Sequence, residues 1–317
     1  MGSPQRRLLT SDGSLMLGGE TAPLIMGIVN ATPDSFSDGG LHQTLDERVA
    51  LAADQLADGA AVIDVGGESG TTDRPAVTAE EEISRVVPVI EALRSELGAR
   101  ISVDTYKPAV ARSAIAAGAS IVNDVSGLRD PELADVCAQT GAGLVVMHTI
   151  APPKQRLHDR ALDGRIVGEV RRFLTERIER AVAHGVALDQ LIVDPGPDFS
   201  KSPAQSIELL RSLPSLHELG CPLLLAVSRK DFVGALTGRP PRERLGGTLG
   251  AVAHGVRCGA HMLRLHDVAP AHDFLAVLDA LEGTDPVDPA LQVPDGLRWA
   301  RGDDPVAPRP SAWPPSA

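Results

Sequence analysis

Eight short apolar runs, separated by longer segments of helical character, constrain the fold of this 317-residue chain most strongly. The runs cover 24–30, 61–67, 101–105, 120–125, 143–149, 191–196, 222–228 and 261–267. Each is almost continuously apolar, as expected of strands buried on both faces of a parallel sheet. Between the runs, segments 45–56, 80–97, 170–184 and 245–258 repeat apolar residues with a period of 3.6, which predicts amphipathic helices.

Alternation of strands and helices predicts an α/β protein with a parallel sheet covered by helices. Eight repeats fit a closed (β/α)8 TIM barrel, which takes about 250 residues. An open doubly wound sheet is the alternative. It would favour a GxGxxG glycine pattern after the first strand, and the absence of that pattern argues against dinucleotide binding.

The chain divides into three predicted segments. Residues 1–23 contain Asp12-Gly13 between apolar flanks, which predicts an N-terminal hairpin. Residues 24–283 form the predicted barrel. Residues 284–317 are rich in proline, which predicts a C-terminal extension that is partly disordered.

Charge and composition exclude several function classes. The formal net charge of −12 argues against nucleic-acid binding and against binding to anionic membranes. No apolar run approaches the roughly 20 residues of a membrane helix. The three cysteines lack the spacing of a disulfide framework and the N-terminus lacks a signal-peptide core, so a cytoplasmic location is predicted.

Polar side chains stand at the C-terminal end of nearly every predicted strand, where TIM barrels build their active sites. They are Asn30, Asp64, Asp104, Asn123, Asp194, Ser228, Arg229, Lys230, Arg264 and His266. Any one of them is explained equally well as a helix cap or a solvated surface residue. Their convergence on one barrel mouth predicts a functional site.

These side chains sort by chemistry. Carboxylates and amides at Asp64, Asp104, Asn123 and Asp194 suit the edge of a flat heterocycle. Lys230, Arg264 and His266 suit an anion, since arginine binds phosphate through paired hydrogen bonds. Asn30 offers an oxygen ligand for Mg²⁺. The pattern therefore favours a small-molecule substrate with a heterocycle and a leaving diphosphate. The loop over 31–40 reads equally well as a surface turn or as part of this site.

Several long motifs in order resemble the dihydropteroate synthase family over about residues 24–280. They are GIVNATPDSFSDGG, DVGGES, SVDT, NDVSG, DPGPDF-SK, SRKDFVG, GGTLGA and LRLHDV. The resemblance implies a (β/α)8 barrel, a homodimer and Mg²⁺. It also implies a transferase of folate biosynthesis, which joins 6-hydroxymethyl-7,8-dihydropterin diphosphate to p-aminobenzoate and releases diphosphate.

The resemblance also implies roles for individual residues. The implied pterin ligands are Asp104, Asn123, Asp194 and Lys230, and the implied diphosphate ligands are Asn30, Arg264 and His266. Asn30 is the implied metal ligand. The implied aminobenzoate pocket contains Phe36, Phe199, Ser228 and Lys230, and the implied catalytic residues are Asp104, Lys230 and Asp38.

One loop departs from the family pattern. Family members usually continue GGES with Thr-Arg-Pro-Gly, whereas this chain has Gly70-Thr71 at the Thr-Arg positions and Arg74-Pro75 further on. Asp198, Ser200 and Ala226 also replace usual glycines, and Thr149 departs from the usual MHM pattern. An alternative is therefore a pterin-binding paralogue that lacks synthase activity or uses another amine. A methyltransferase acting on a corrinoid is less favoured because it needs no anion site, and the same anion site argues against a non-enzymatic binding module.

Overall fold

The computed structural model describes residues 4–19, 22–32, 44–70, 75–155, 157, 159–283 and 287–298. The strands are β1 Arg6–Thr10, β2 Gly13–Leu17, β3 Leu24–Asn30, β4 Ala60–Gly66, β5 Ile101–Asp104, β6 Ile121–Asp124, β7 Gly143–Met147, β8 Leu191–Asp194, β9 Leu224–Leu225 and β10 Met262–Leu265. The α-helices are α1 Leu45–Ala57, α2 Ala79–Leu97, α3 Pro108–Ala117, α4 Glu132–Thr140, α5 Ile166–Ala183, α6 Pro203–Arg211, α7 Asp231–Thr237, α8 Leu245–Arg257 and α9 Val268–Glu282.

Strands β3–β10 form a parallel barrel in the order β8-β7-β6-β5-β4-β3-β10-β9. The ring closes where Val193 of β8 forms a parallel bridge with Leu223, just before β9. The amide of Val193 donates to the carbonyl of Pro222 at 3.0 Å across this seam. The predicted TIM barrel is therefore confirmed, and the open doubly wound alternative is wrong.

The barrel wall separates two apolar cores because alternate residues of a strand face opposite sides. The outer core lies between strands and helices, and Ile63, Ile101, Val122, Leu144 and Leu263 contribute to it from the strands. The inner core fills the lower part of the barrel with Met26, Val62, Ile121, Val145, Ile192, Leu224 and Met262. Strands that carry apolar residues on both faces explain the nearly continuous apolar runs.

The N-terminal hairpin of β1 and β2 closes the lower end of the barrel. Leu8 and Leu17 are buried and join the inner core beside Met26 and Met262. His261 ties the hairpin to the barrel: its Nε2 lies 2.9 Å from the carbonyl of Pro4, and the amide of Leu223 donates to its Nδ1 at 3.1 Å. These partners assign the proton of a neutral His261 to Nε2.

Several element boundaries differ from the sequence prediction. Within the predicted strand over 222–228, only Leu224–Leu225 form a strand. Before it, Pro222 has no N–H to donate and the Leu223 amide donates to the side chain of His261. Helix α5 begins at Ile166, before the predicted start at residue 170. Thr78 caps α2, because its Oγ1 accepts from the amide of Glu81 at 3.2 Å.

The predicted N-terminal hairpin is confirmed by the antiparallel pairing of β1 with β2. The segment boundaries at residues 23 and 283 and the partial disorder of 284–317 stay predictions. Within 287–298 the chain forms one short turn of 3₁₀ helix, Asp295–Leu297. No helix among the described residues is long and apolar enough to cross a membrane.

Replacing Leu8 with alanine tests the role of the hairpin as a plug. Leu8 is 0% exposed, so Leu8→Ala should lower the free energy of unfolding by about 2–5 kcal/mol. Met16 lies on the same hairpin but is 54% exposed, so Met16→Ala is the matched control, with an expected effect below about 0.5 kcal/mol. Chemical denaturation measures both. Equal stability of the two variants would show that the hairpin does not seal the barrel.

Candidate active site

Strand register brings three polar residues and one glycine, from four neighbouring strands, to one level at the barrel mouth. Asn30 of β3 pairs with Gly66 of β4, Gly66 pairs with Asp104 of β5, and Asp104 pairs with Asn123 of β6. Asp64 lies one interior level deeper, two residues before Gly66. On the other side of the ring, Asp194 ends β8. The structure therefore brings the predicted carboxylates and amides together at the mouth.

Arg264 of β10 joins this group through two carboxylates. Its Nε donates to Asp64 Oδ2 at 2.6 Å, and its Nη2 donates to Asp104 Oδ2 at 2.7 Å. Asn123 Nδ2 donates to the same Asp64 oxygen at 3.1 Å. The Asp64 side chain is 0% exposed and that of Arg264 is 20% exposed. We name Asp64, Asp104, Asn123 and Arg264 the acid–arginine cluster.

One carboxyl group of this cluster has a pKa raised to near neutral pH. Burial raises the pKa of Asp104 to about 7, the Arg264 guanidinium opposes this shift, and the carboxylates of Asp64 and Glu82 add to it. Its other neighbour in the cluster, Asn123, is neutral. Asp104 can therefore either donate or accept a hydrogen bond at physiological pH.

Asp194 and Lys230 form the opposite wall. Asp194 Oδ1 accepts from the amide of Gly196 at 2.7 Å, and burial raises the pKa of the Asp194 carboxyl. Lys230 lies at the N-cap of α7, with its Nζ 4.2 Å from the centre of the Phe199 ring. Burial lowers the pKa of Lys230, and the carboxylates of Asp198 and Asp194 oppose that shift.

Phe199 stands in a loop of unusual backbone geometry. Its neighbours Asp198 and Ser200 have positive φ values of 68° and 52°, a region that favours glycine. This geometry explains why glycines at these two positions suit the family pattern. Asp198 is held by Ser206 Oγ, which donates to Oδ1 at 2.9 Å, and by the amide of Phe232, which donates to Oδ2 at 3.2 Å.

Lys201 supports the same loop from below, a role that the sequence did not predict. Its Nζ donates to the carbonyls of Gly196, Phe199 and His148 at 2.8, 3.1 and 3.2 Å. The residue is 6% exposed, and burial lowers the pKa of its ammonium to about 7. In the sequence, only the position of Lys201 two residues after Phe199 indicated this role.

Ser228 and His266 lie side by side after β9 and β10. Ser228 Oγ accepts from the backbone amide of His266 at 3.2 Å and lies 2.9 Å from its Nδ1. A hydroxyl that accepts from the amide can donate to Nδ1, which would place the imidazole proton on Nε2. The predicted aminobenzoate residue and the predicted diphosphate residue therefore act as one hydrogen-bonded pair.

An ion network that sequence reasoning missed anchors the loop after β4. Glu68 Oε2 accepts from Lys107 Nζ at 2.6 Å and from the amide of Val77 at 3.1 Å. Lys107 also donates to Glu82 Oε2 at 2.5 Å, and the Tyr106 hydroxyl donates to Glu68 Oε1 at 3.0 Å. Burial alone would raise the pKa of Glu68, but the bonds from Lys107 and Val77 hold it below its ordinary value.

Two predicted site residues, Phe36 and Asp38, lie outside the described residues, as do 71–74. Asn30 is partly buried at the end of β3. Gly66 lies between Asn30 and Asp104: a Cβ atom placed on it would lie 3.9 Å from Asn30 Oδ1 and 3.6 Å from Asp104 Cβ.

No group of three or more His, Cys, Asp or Glu side chains in the described residues could hold a metal ion. Asn30 offers one neutral oxygen ligand. A single protein ligand of this kind fits a Mg²⁺ ion whose other ligands are substrate phosphates and water.

The fold and the mouth define a class of protein: a TIM-barrel enzyme with a polar small-molecule site at the carboxyl ends of its strands. The family follows from comparison with known proteins. The model of the pterin binding enzyme family matches residues 26–266, and the chain belongs to this family.

The chain is 42% identical over 259 residues to the dihydropteroate synthase of Synechocystis sp., covering 81% of this chain and 89% of that protein. Among solved structures, the dihydropteroate synthase of Xanthomonas albilineans with 4-aminobenzoic acid superposes with a TM-score of 0.79 at 43% identity, covering 88% of this chain and 98% of that one. The same enzyme in complex with 7,8-dihydropteroate gives a TM-score of 0.74 at 44% identity, with coverage of 84% and 96%.

The raised pKa of Asp104 predicts a specific pH dependence of stability. The folded pKa of about 7 exceeds the ordinary value of 3.8, so the folded state binds this proton more tightly than the unfolded state. Asp104 therefore stabilises the fold at low pH, and this contribution is lost as the pH rises from about 4 to above 7. Relative to Asp104→Asn, the wild type should lose stability over this window by at most about 1.4 kcal/mol per pH unit.

Urea denaturation from pH 5 to 8 measures this difference. Asp273 is exposed on α9, so Asp273→Asn is the control and should follow the wild type at every pH. If the stability curves of Asp104→Asn and the wild type run parallel across this range, Asp104 is not protonated near neutral pH.

Proposed function

We propose that the protein condenses 6-hydroxymethyl-7,8-dihydropterin diphosphate with p-aminobenzoate, which releases diphosphate and forms 7,8-dihydropteroate. The relative and the two solved structures compared above are dihydropteroate synthases that match most of the chain. The observation that carries the proposal is the meeting of Asp104, Asn123, Asp194 and Lys230 at one barrel mouth. Their chemistry matches the edges of a pterin.

A pterin ring presents donors and acceptors in one plane, and the mouth offers matching groups. Asp194 is a buried carboxyl and Asn123 is a buried carboxamide. Buried polar groups cost free energy unless they form hydrogen bonds, so these two side chains favour a ligand edge that pairs with them. Asp104 supplies either a donor or an acceptor because its pKa is about 7. Lys230 supplies an ammonium from the opposite wall.

The anion side of the site comprises Arg264, His266 and Asn30. Arg264 retains N–H groups beyond the two that bind Asp64 and Asp104, since a guanidinium has five. His266, with its proton placed on Nε2, can donate to a phosphate oxygen. Asn30 would hold Mg²⁺, which neutralises charge on the departing diphosphate when it is bound.

The condensation then needs no strong base. The bond between the pterin methylene carbon and the diphosphate oxygen breaks, and its electron pair leaves with the diphosphate. The nearby Asp104 carboxylate stabilises positive charge on the methylene. The aniline nitrogen forms the new C–N bond with its lone pair and afterwards loses a proton to solvent.

Phe199, Ser228 and Lys230 are the described residues proposed to bind p-aminobenzoate. The cationic Nζ of Lys230 against the Phe199 ring combines an apolar face with a positive charge, which suits an aromatic carboxylate. Lys201 and Asp198 fix the loop that carries Phe199, so they position this pocket. Phe36 and Asp38 belong to the proposal on family resemblance alone, and a homodimer and a cytoplasmic location stay predictions.

Diphosphate release tests the proposal directly. Purified protein should release diphosphate from the pterin substrate only when both p-aminobenzoate and Mg²⁺ are present, as followed in a coupled assay. Asn123→Ala should weaken pterin diphosphate binding about 10–100-fold, because it removes a buried amide beside charged groups. Gln139 is an exposed amide on α4, so Gln139→Ala is the matched control. Folded protein that binds the pterin yet releases no diphosphate would instead support the paralogue without synthase activity.

Replacing Thr71 with arginine tests the divergent loop. If the missing family arginine limits closure over the substrates, Thr71→Arg should raise kcat/KM for p-aminobenzoate about tenfold, the value of one charge-assisted contact. Thr72→Arg adds the same charge one residue later and should leave kcat/KM unchanged. Equal rates for Thr71→Arg and Thr72→Arg would show that position 71 has no special role.

A further inference from the structure

A second cavity lies outside the barrel, between the start of α1 and the middle of α2. It has a volume of about 340 Å³ and is lined by Ala31, Leu45, Arg48, Ser84, Arg85, Pro88 and Val89. Two arginines face this cavity, and no acidic side chain of the described residues lines it. None of these lining residues belongs to the acid–arginine cluster or to the other described residues that were predicted for the barrel mouth.

Arg48 has little of the pairing that a partly buried guanidinium normally has. Its Nη2 donates to the carbonyl of Thr32 over a long distance of 3.5 Å. Its Nε is buried and has no hydrogen-bond partner among the described residues. The neighbouring Glu47 carboxylate accepts from the amide of Thr44 at 2.9 Å as part of the cap of α1.

Arg85 adds a second positive charge. Its Nη1 donates to the carbonyl of Gly67 at 2.8 Å, and its Nη2 pairs with Glu81 one turn earlier on α2. Burial lowers the pKa of Arg48, and the charge of Arg85 lowers it further while Glu47 opposes the shift. Two guanidinium groups therefore line one cavity, and Glu81 is ion-paired with Arg85 while Arg48 has no ion pair among the described residues.

We propose that Arg48 and Arg85 form an anion site for a small phosphate-class oxyanion, distinct from the barrel mouth. Planar guanidinium groups bind phosphate oxygens through paired N–H bonds, and a buried unpaired N–H gains most from such a partner. A cavity of about 340 Å³ is ample for phosphate or diphosphate.

The site would also connect two loops. Arg48 contacts the carbonyl of Thr32, which follows β3, and Arg85 contacts the carbonyl of Gly67, which follows β4. These carbonyls lie where the chain leaves the barrel towards residues 33–43 and 71–74. An anion that binds both guanidinium groups would fix the two departure points relative to each other.

Calorimetric titration with inorganic diphosphate tests this site, and inorganic phosphate serves as a second probe. Arg48→Gln should bind one equivalent of diphosphate fewer per chain than the wild type, or bind it at least about tenfold more weakly. Arg211→Gln removes an equal charge from an exposed position at the end of α6 and should bind as the wild type does. Arg48→Lys should still bind diphosphate, but more weakly, since lysine keeps the positive charge and lacks the paired N–H groups of the guanidinium.

The number of equivalents separates this proposal from the proposed function. If the barrel mouth also binds diphosphate, Arg48→Gln retains one equivalent; if the mouth does not, Arg48→Gln retains none. Binding of the same number of equivalents with the same affinity by Arg48→Gln and Arg211→Gln would overturn the anion site. Thermal unfolding of each variant confirms that the compared proteins are folded.

Discussion

The contact of Arg264 with Asp64 and Asp104 is the interaction on which the mouth of this barrel depends. Removal of charges from water costs several kcal/mol per ion, and only close geometry with further hydrogen bonds offsets that cost. Here one guanidinium lies 2.6 and 2.7 Å from two carboxylates, and Asn123 donates to one of them. Loss of Arg264 would leave two carboxylates inside the barrel without their cationic partner.

The cluster also explains the electrostatic character of the site. Two carboxylates share one guanidinium, so the arrangement leaves an excess of negative charge in a region of low dielectric constant. Asp104, the more accessible of the two acids, responds with a pKa of about 7. The lower barrel is filled by apolar side chains and closed by the hairpin, so it can stabilise the fold while the upper level serves the chemistry.

The sequence predicted the architecture well because apolar runs and strand ends are local signals. Asn30, Asp104, Asn123 and Asp194 could all be placed at the mouth from strand ends alone. Their partners could not, since the pairing of Arg264 with Asp64 and Asp104 depends on how β10, β4 and β5 are arranged around the ring.

The residues that position the site could not be predicted either, because their partners are also distant along the chain. Lys201 contacts His148, which lies 53 positions away along the chain, and Ser228 meets His266 across 38 positions. The sequence did not predict the short helices α3, α4, α6 and α7. Seven to ten residues contain too few helical turns to show a repeat of apolar residues every 3.6 positions. The glycine-like backbone at Asp198 and Ser200 was visible only as an unexplained departure from the family pattern.

The most direct measurement of the central claim is growth of a bacterial strain that lacks dihydropteroate synthase, without added folate or its end products. Expression of this chain should restore growth, and an Asn123→Ala variant at the same expression level should restore it less well. Failure of the wild-type chain to support growth, with folded protein present in the cells, would contradict the assignment of synthase activity.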